Sequence, residues 1–179
     1  NRLGTQFDGQ RDLYKTFGYP QVPAYQDYKN LYDRQGIASR LVEKFANDTW
    51  NKPPILIDGK SRSDQKDNQT KFIKEWIALT KRLRVYKAMR QADIMLGFSR
   101  YAVIVMGTDG DLGEPAGTRG NLFYIQPFDE NASTPAEYIG DLNNKDFGLP
   151  GKYSVQFNSV TEGIQVQGGG DVHYSRVIH

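Results

Sequence analysis

The chain has 179 residues, 38% of them hydrophobic and 25% charged, with a net charge of +2. That balance describes a globular chain of one domain, or a core with an appended lobe, and makes no overall case for nucleic-acid binding. There is no cysteine, which excludes thiol catalysis, disulfides and cysteine–zinc sites. No apolar run reaches the roughly 18 residues that would span a membrane.

Residues 1–24 are polar and punctuated by Gly4, Gly9, Gly18, Pro20 and Pro23. They also carry Phe7, Leu13, Tyr14, Phe17 and Tyr19, too aromatic a set for a free tail. They read as an irregular arm lying on its own domain or on a neighbouring subunit. Residues 25–179 read as one α+β unit.

A short helix follows the arm, with Tyr25, Tyr28, Leu31 and Tyr32 on one face. After Gly36, the positions Ile37, Leu41, Val42 and Phe45 form a second helical stripe. That helix ends near Trp50, before the prolines of NKPP at 51–54. Ser63 and Asp64 are candidate caps for a long helix running to Leu96, with Gly97 as its stop. Unbroken, it would be about 50 Å long. Phe72, Trp76, Leu79, Leu83 and Tyr86 recur at helical spacing and predict a buried seam in which Trp76 is mostly enclosed.

Beyond Gly97 the period changes. RYAVIVMGT at 100–108 and LFYIQPF at 122–128 are rich in β-branched and aromatic residues and predict a hairpin. YSVQFNS at 153–159 and GIQVQ at 163–167 predict a second one. VHYSRVIH predicts a final strand, with Val172, Tyr174, Arg176 and Ile178 on one face. The expected fold class is therefore α+β: a helical first half with one long helix, then antiparallel β-hairpins.

Three features invite a chemical reading. The loop 107–120 holds Gly107, Gly110, Gly113, Gly117 and Gly120 with Asp109, Asp111 and Glu114. It lacks the lysine and hydroxyl of a phosphate-cradling loop, and Gly113 stands where a calcium loop needs its third ligand. An exposed hairpin tip is expected. Between 71 and 90 the long helix carries Lys71, Lys74, Lys81, Arg82, Arg84, Lys87 and Arg90 against a single acid, Glu75. The readings are a DNA-contacting surface or a solvated or subunit-facing one. His173 opens HYS, and paired H-x-[ST] motifs serve two-histidine phosphoesterases, one histidine as base and one as acid. On a regular strand His173 and His179 would face one side about 20 Å apart. That is too far for one site, so both histidines read as structural. No catalytic residue, cofactor or metal site is assigned.

The segments FGYPQVPAYQDYKNLYDRQGIASRLVEKFANDTWNKPP, ADIMLGFSRYAVIVMG, LFYIQPFDE, GLPGKYSV and DVHYSRVIH together resemble the amino-terminal half of tailed-phage portal proteins. The group is one formerly catalogued as a family of unknown function. The resemblance covers nearly the whole chain, and it rests on the joint order of R-x-G-I-A-x-R-L-V, D-T-W, G-F-S, G-x-P-x-x-Y and V-H-x-S-R-V. It implies a structural subunit, not an enzyme, in a dodecameric head–tail connector ring at the capsid vertex of the virion, assembled in the host cytoplasm. The implied partners are identical subunits, capsid or scaffolding protein, terminase, tail adaptor and double-stranded DNA in the channel. This region would be the outer wing of a longer subunit that continues into stem and clip. Some proteins with this amino-terminal region carry the name of a phage nuclease acting on cyclic-nucleotide signals, so a cyclic-nucleotide phosphoesterase is the alternative.

Overall fold

The computed structural model describes residues 16–18, 20, 22–52, 54–58, 70–118, 120–161 and 164–179. Most of the aromatic arm, including Phe7, Leu13 and Tyr14, lies outside the described residues, as do Ser63 and Asp64.

Helices come first. Helix α1 spans Tyr25–Arg34. Pro23 precedes it, and the Asp27 carboxylate accepts the Ala24 N–H at 2.9 Å, which satisfies one orphan donor of the first turn. Gln35 is extended and separates α1 from α2, Gly36–Thr49. As expected, α2 stops before the prolines. Its buried side differs from the expected stripe. Ala46 is buried, whereas Ile37, Leu41 and Phe45 stand 87%, 62% and 71% exposed. Helix α2 meets its neighbours through Ala46, Val42 and Trp50. The Trp50 indole N–H donates to Asp93, and its ring lies 6.2 Å from that of Tyr86.

The expected long helix is two helices. Helix α3 spans Lys71–Leu83 and α4 spans Val85–Leu96. Arg84 between them has φ 52° and ψ 43°, a left-handed conformation that ends one helix and starts the next on a new axis. Thr70 caps α3 by accepting the Ile73 N–H at 3.4 Å. The expected seam lies on the inner side but is only half-enclosed, at Trp76, Leu79, Leu83 and Tyr86. Ile73 and Thr80 are buried, Trp76 is only part-buried and Phe72 faces solvent. Helix α4 ends at Gly97 as its sequence predicts.

The strands are β1 Ala102–Thr108, β2 Leu122–Asp129, β3 Ser133–Tyr138, β4 Pro150–Thr161, β5 Ile164–His173 and β6 Val177–Ile178. They form two antiparallel sheets, ordered β2-β1-β6 and β3-β4-β5. Both expected hairpins are present: Val103 pairs with Phe128 in the first, Tyr153 with Val172 in the second. The class is α+β.

The core lies between the sheets, where Val103 and Val105 of β1 meet Tyr153, Val155 and Val172. Helix α4 covers the other side of β1, packing Ala92 against Ala102 and Ile104. A strand buried on both faces must be apolar at every position, hence the unbroken run AVIVM. Each valine enclosed in this way contributes about 1.5–3 kcal/mol relative to exposure.

Between the sheets the chain turns at Asp129–Ala132. The Asp129 carboxylate accepts the N–H groups of Asn131 and Ala132 and the Tyr25 hydroxyl, which ties α1 to the turn. Burial, and then that bond, holds the Tyr25 hydroxyl protonated well beyond the ordinary phenol range. Glu130 is buried and accepts both the backbone N–H and the Nε of Arg100, at 2.8 and 3.0 Å.

The expected final strand is not one strand. His173 ends β5, Tyr174–Arg176 form a single 3-10 turn, and Val177 and Ile178 then pair with β1 in the other sheet. Val172 and Ile178 therefore share no strand face. The turn carries the chain across the sandwich.

Candidate functional site

The two histidines are held apart and occupied separately. The His173 Nδ1 accepts the Ser175 N–H at 3.2 Å and lies 2.9 Å from the Ser175 hydroxyl. Because Nδ1 accepts, the ring proton sits on Nε2. The Ser175 Oγ in turn accepts the Ala116 N–H at 2.8 Å. Burial, then the nearby Lys152 charge, pushes the His173 pKa below its ordinary value. The H-x-S pair thus caps a turn and anchors a loop. His179 sits across the sandwich, with Nδ1 3.0 Å from the Tyr153 hydroxyl and its ring edge-on to Tyr101 and Tyr153.

The glycine loop is exposed, as expected of a hairpin tip, yet it is pinned. Arg176, 2% exposed, lies beneath it. Its guanidinium donates to the carbonyl oxygens of Thr108, Asp109, Glu114 and Pro115 and to the Thr108 hydroxyl. The His173 N–H adds a bond to the Leu112 carbonyl at 2.8 Å. Gly110, at φ +88°, makes a bend that a side chain would strain. Sequence reading missed Arg176. An arginine in a strand pattern looks like an exposed charge, and the loop that encloses it lies 62 residues earlier in the sequence.

All seven basic residues singled out in the sequence are exposed. On α3, Lys71 and Arg82 lie opposite the buried Ile73 and Thr80, and Lys74 and Lys81 flank them. Lys87 and Arg90 occupy the side of α4 away from Ala88 and Ala92. The break at Arg84 divides them into two groups. Some are engaged: Arg82 donates to the Leu122 carbonyl at 2.9 Å, Arg90 to Asn47 at 2.6 Å, and Lys71 stands 3.8 Å from Glu75.

The more distinctive surface is apolar. Ile37, Leu41 and Phe45 follow one another along the outer side of α2, and Leu41 and Phe45 border a hollow floored by Val42 and Ala46. A contiguous apolar stripe on a helix is a mark of an interaction surface.

Residues 26–179 match the family described as phage portal protein. The chain belongs to the phage portal protein family. No curated protein matches it significantly. Phage portal proteins are structural, non-enzymatic components of the virion, located at the capsid vertex.

The short motifs of this portal region fall at the joints of the fold. Trp50 of D-T-W ties α2 to α4 through Asp93. Phe98 of G-F-S is buried against the rings of Tyr25 and Tyr32. G-x-P-x-x-Y supplies the positive-φ turn at Gly148 and the core residue Tyr153. V-H-x-S-R-V supplies Val172, the His173–Ser175 cap and Arg176. A portal region recognisable by such motifs is recognisable by its packing.

Proposed function

We propose that this chain is the wing region of a portal subunit that assembles into a dodecameric ring at the capsid vertex, serving head assembly and the passage of DNA during packaging and ejection. The family match over residues 26–179 carries the reading. The exposed Ile37, Leu41 and Phe45 support it, because a ring subunit must offer apolar surface to something outside itself. Identical subunits are the first partners on this reading. Capsid or scaffolding protein, terminase and tail adaptor follow through the longer subunit. The basic faces of α3 and α4 serve as subunit- or DNA-facing surface.

The test is the mass of the full-length protein, by native mass spectrometry and by imaging of the particles. A closed ring is expected, and a stable monomer at high concentration would overturn the reading. The phosphoesterase alternative has less support, since His173 and Ser175 bind each other and the neighbouring backbone.

A further inference from the structure

Among the described residues, one side of the sandwich is unsealed. The edge strands β2 and β5 both border it, and between them runs a groove of about 1190 Å3. Its floor continues the core, with Val105, Val155 and Val172 at the bottom and Phe128 on the β2 wall.

The two edges differ. Pro127 lies in β2 and has no N–H to offer, a usual way of blunting an edge. Among the described residues, the β5 edge is open before Asp171. Antiparallel pairing turns alternate residues toward and away from the partner strand. The His173 N–H points away from β4, because it reaches the Leu112 carbonyl on the outer side. By the same alternation Asp171 and Gly169 also turn their backbone groups outward. The glycine loop covers the edge at His173, and the cover ends near Asp171, where Gly113 lies against the carbonyl. From Gly169 back toward Ile164, β5 pairs among the described residues only with β4.

The glycines make the same point sterically. A Cβ on Gly169 would meet the Val155 carbonyl at 2.7 Å, so the sheet itself requires that glycine. Gly170 is different. It pairs with Val155, lines the groove, and a Cβ there would meet nothing within 4 Å. Nothing among the described residues asks for glycine at 170, although glycine weakens a strand. Such a glycine leaves room for the close approach of another backbone. The charged residues lining the groove are Asp111, Asp129 and Asp171, all acidic.

We propose that the open β5 edge around Gly169–Asp171, with the groove beside it, receives an extended segment of a partner protein in which apolar and basic residues alternate. Its backbone continues the β3-β4-β5 sheet, its apolar side chains enter above Gly170, and its basic ones meet the acidic rim. This stands whether or not the chain forms a ring.

The probe is a fluorescein-labelled peptide of about nine alternating valines and lysines, a common strand length. It is added to the full-length protein, with anisotropy and amide hydrogen exchange as readouts. Saturable binding with slowed exchange at Gly169 and Asp171 is expected. Gly170→Val should weaken binding about tenfold or more, and so should N-methylation of every second peptide amide. Gly170→Ala, for which the chain has room, serves as a fold control by its unchanged melting temperature. Equal binding by the N-methylated peptide would overturn the proposal. So would protection confined to other strands, or amides at Gly169 and Asp171 already slow because a second copy fills the groove.

Discussion

The Arg176 Nε lies 2.8 Å from the carbonyl oxygen of Glu114, joining the last turn of the chain to a loop 62 residues earlier. The remaining guanidinium donors reach Thr108, Asp109 and Pro115, and the side chain is buried with carbonyl dipoles, not a carboxylate, around its charge. Removing the donors strands several carbonyls at once. Arg176→Met should therefore cost about 3 kcal/mol or more, read by urea denaturation. Arg176→Lys should recover little, since an ammonium cannot span the same acceptors. A loss below about 1 kcal/mol would show that the loop holds itself.

Arg84 has the opposite sign. A non-glycine residue at φ 52° carries about 1–2 kcal/mol of backbone strain. Arg84→Gly should raise stability by up to about 1 kcal/mol, after glycine's own entropic cost. A lowered melting temperature would mean that the arginine side chain holds the junction between α3 and α4.

His173 predicts a pH dependence. Burial first, and then Lys152, keep its folded pKa below the unfolded value of 6.5. Above pH 7 both states are neutral, and no stability depends on it. As pH falls through 6.5 the unfolded chain takes up the proton first, so folding weakens until the folded pKa is passed. His173→Asn keeps an acceptor for the Ser175 N–H and should flatten the melting temperature between pH 7 and 5. An unchanged slope would place the pH dependence elsewhere.

The outer stripe of α2 should matter for assembly and not for folding. Leu41→Ser with Phe45→Ser should change stability by no more than about 0.5 kcal/mol per site, as expected of exposed positions. The same pair should shift the full-length protein toward smaller species in native mass spectrometry. A destabilisation above about 2 kcal/mol without any change in assembly would make the stripe part of the core.

The helices-then-strands order and the family were legible in the sequence, but strand β3, Ser133–Tyr138, was not foreseen. Strand β1 announced itself as AVIVM, and both hairpins followed from alternation and turn residues. The helices were harder. Apart from Ile73 and Thr80, their buried residues are the small Ala46, Ala88 and Ala92. Alanines let α4 approach β1 closely, while the larger Ile37, Leu41 and Phe45, which dominate any periodicity, face outward. Arg84 interrupts a favourable helical pattern without glycine or proline to signal it. The basic residues were legible as a cluster, but their division into two groups depends on that one dihedral pair.

VHYSRVIH shows where the boundary lies. Local chemistry determined that it is β-prone. The tertiary structure alone decided that the segment leaves one sheet at His173 and enters the other at Val177, turning Arg176 inward beneath the glycine loop. Periodicity reports which residues share a face of one element. Which face is buried depends on what the distant chain brings against it, and at Arg176 that is a set of loop carbonyls.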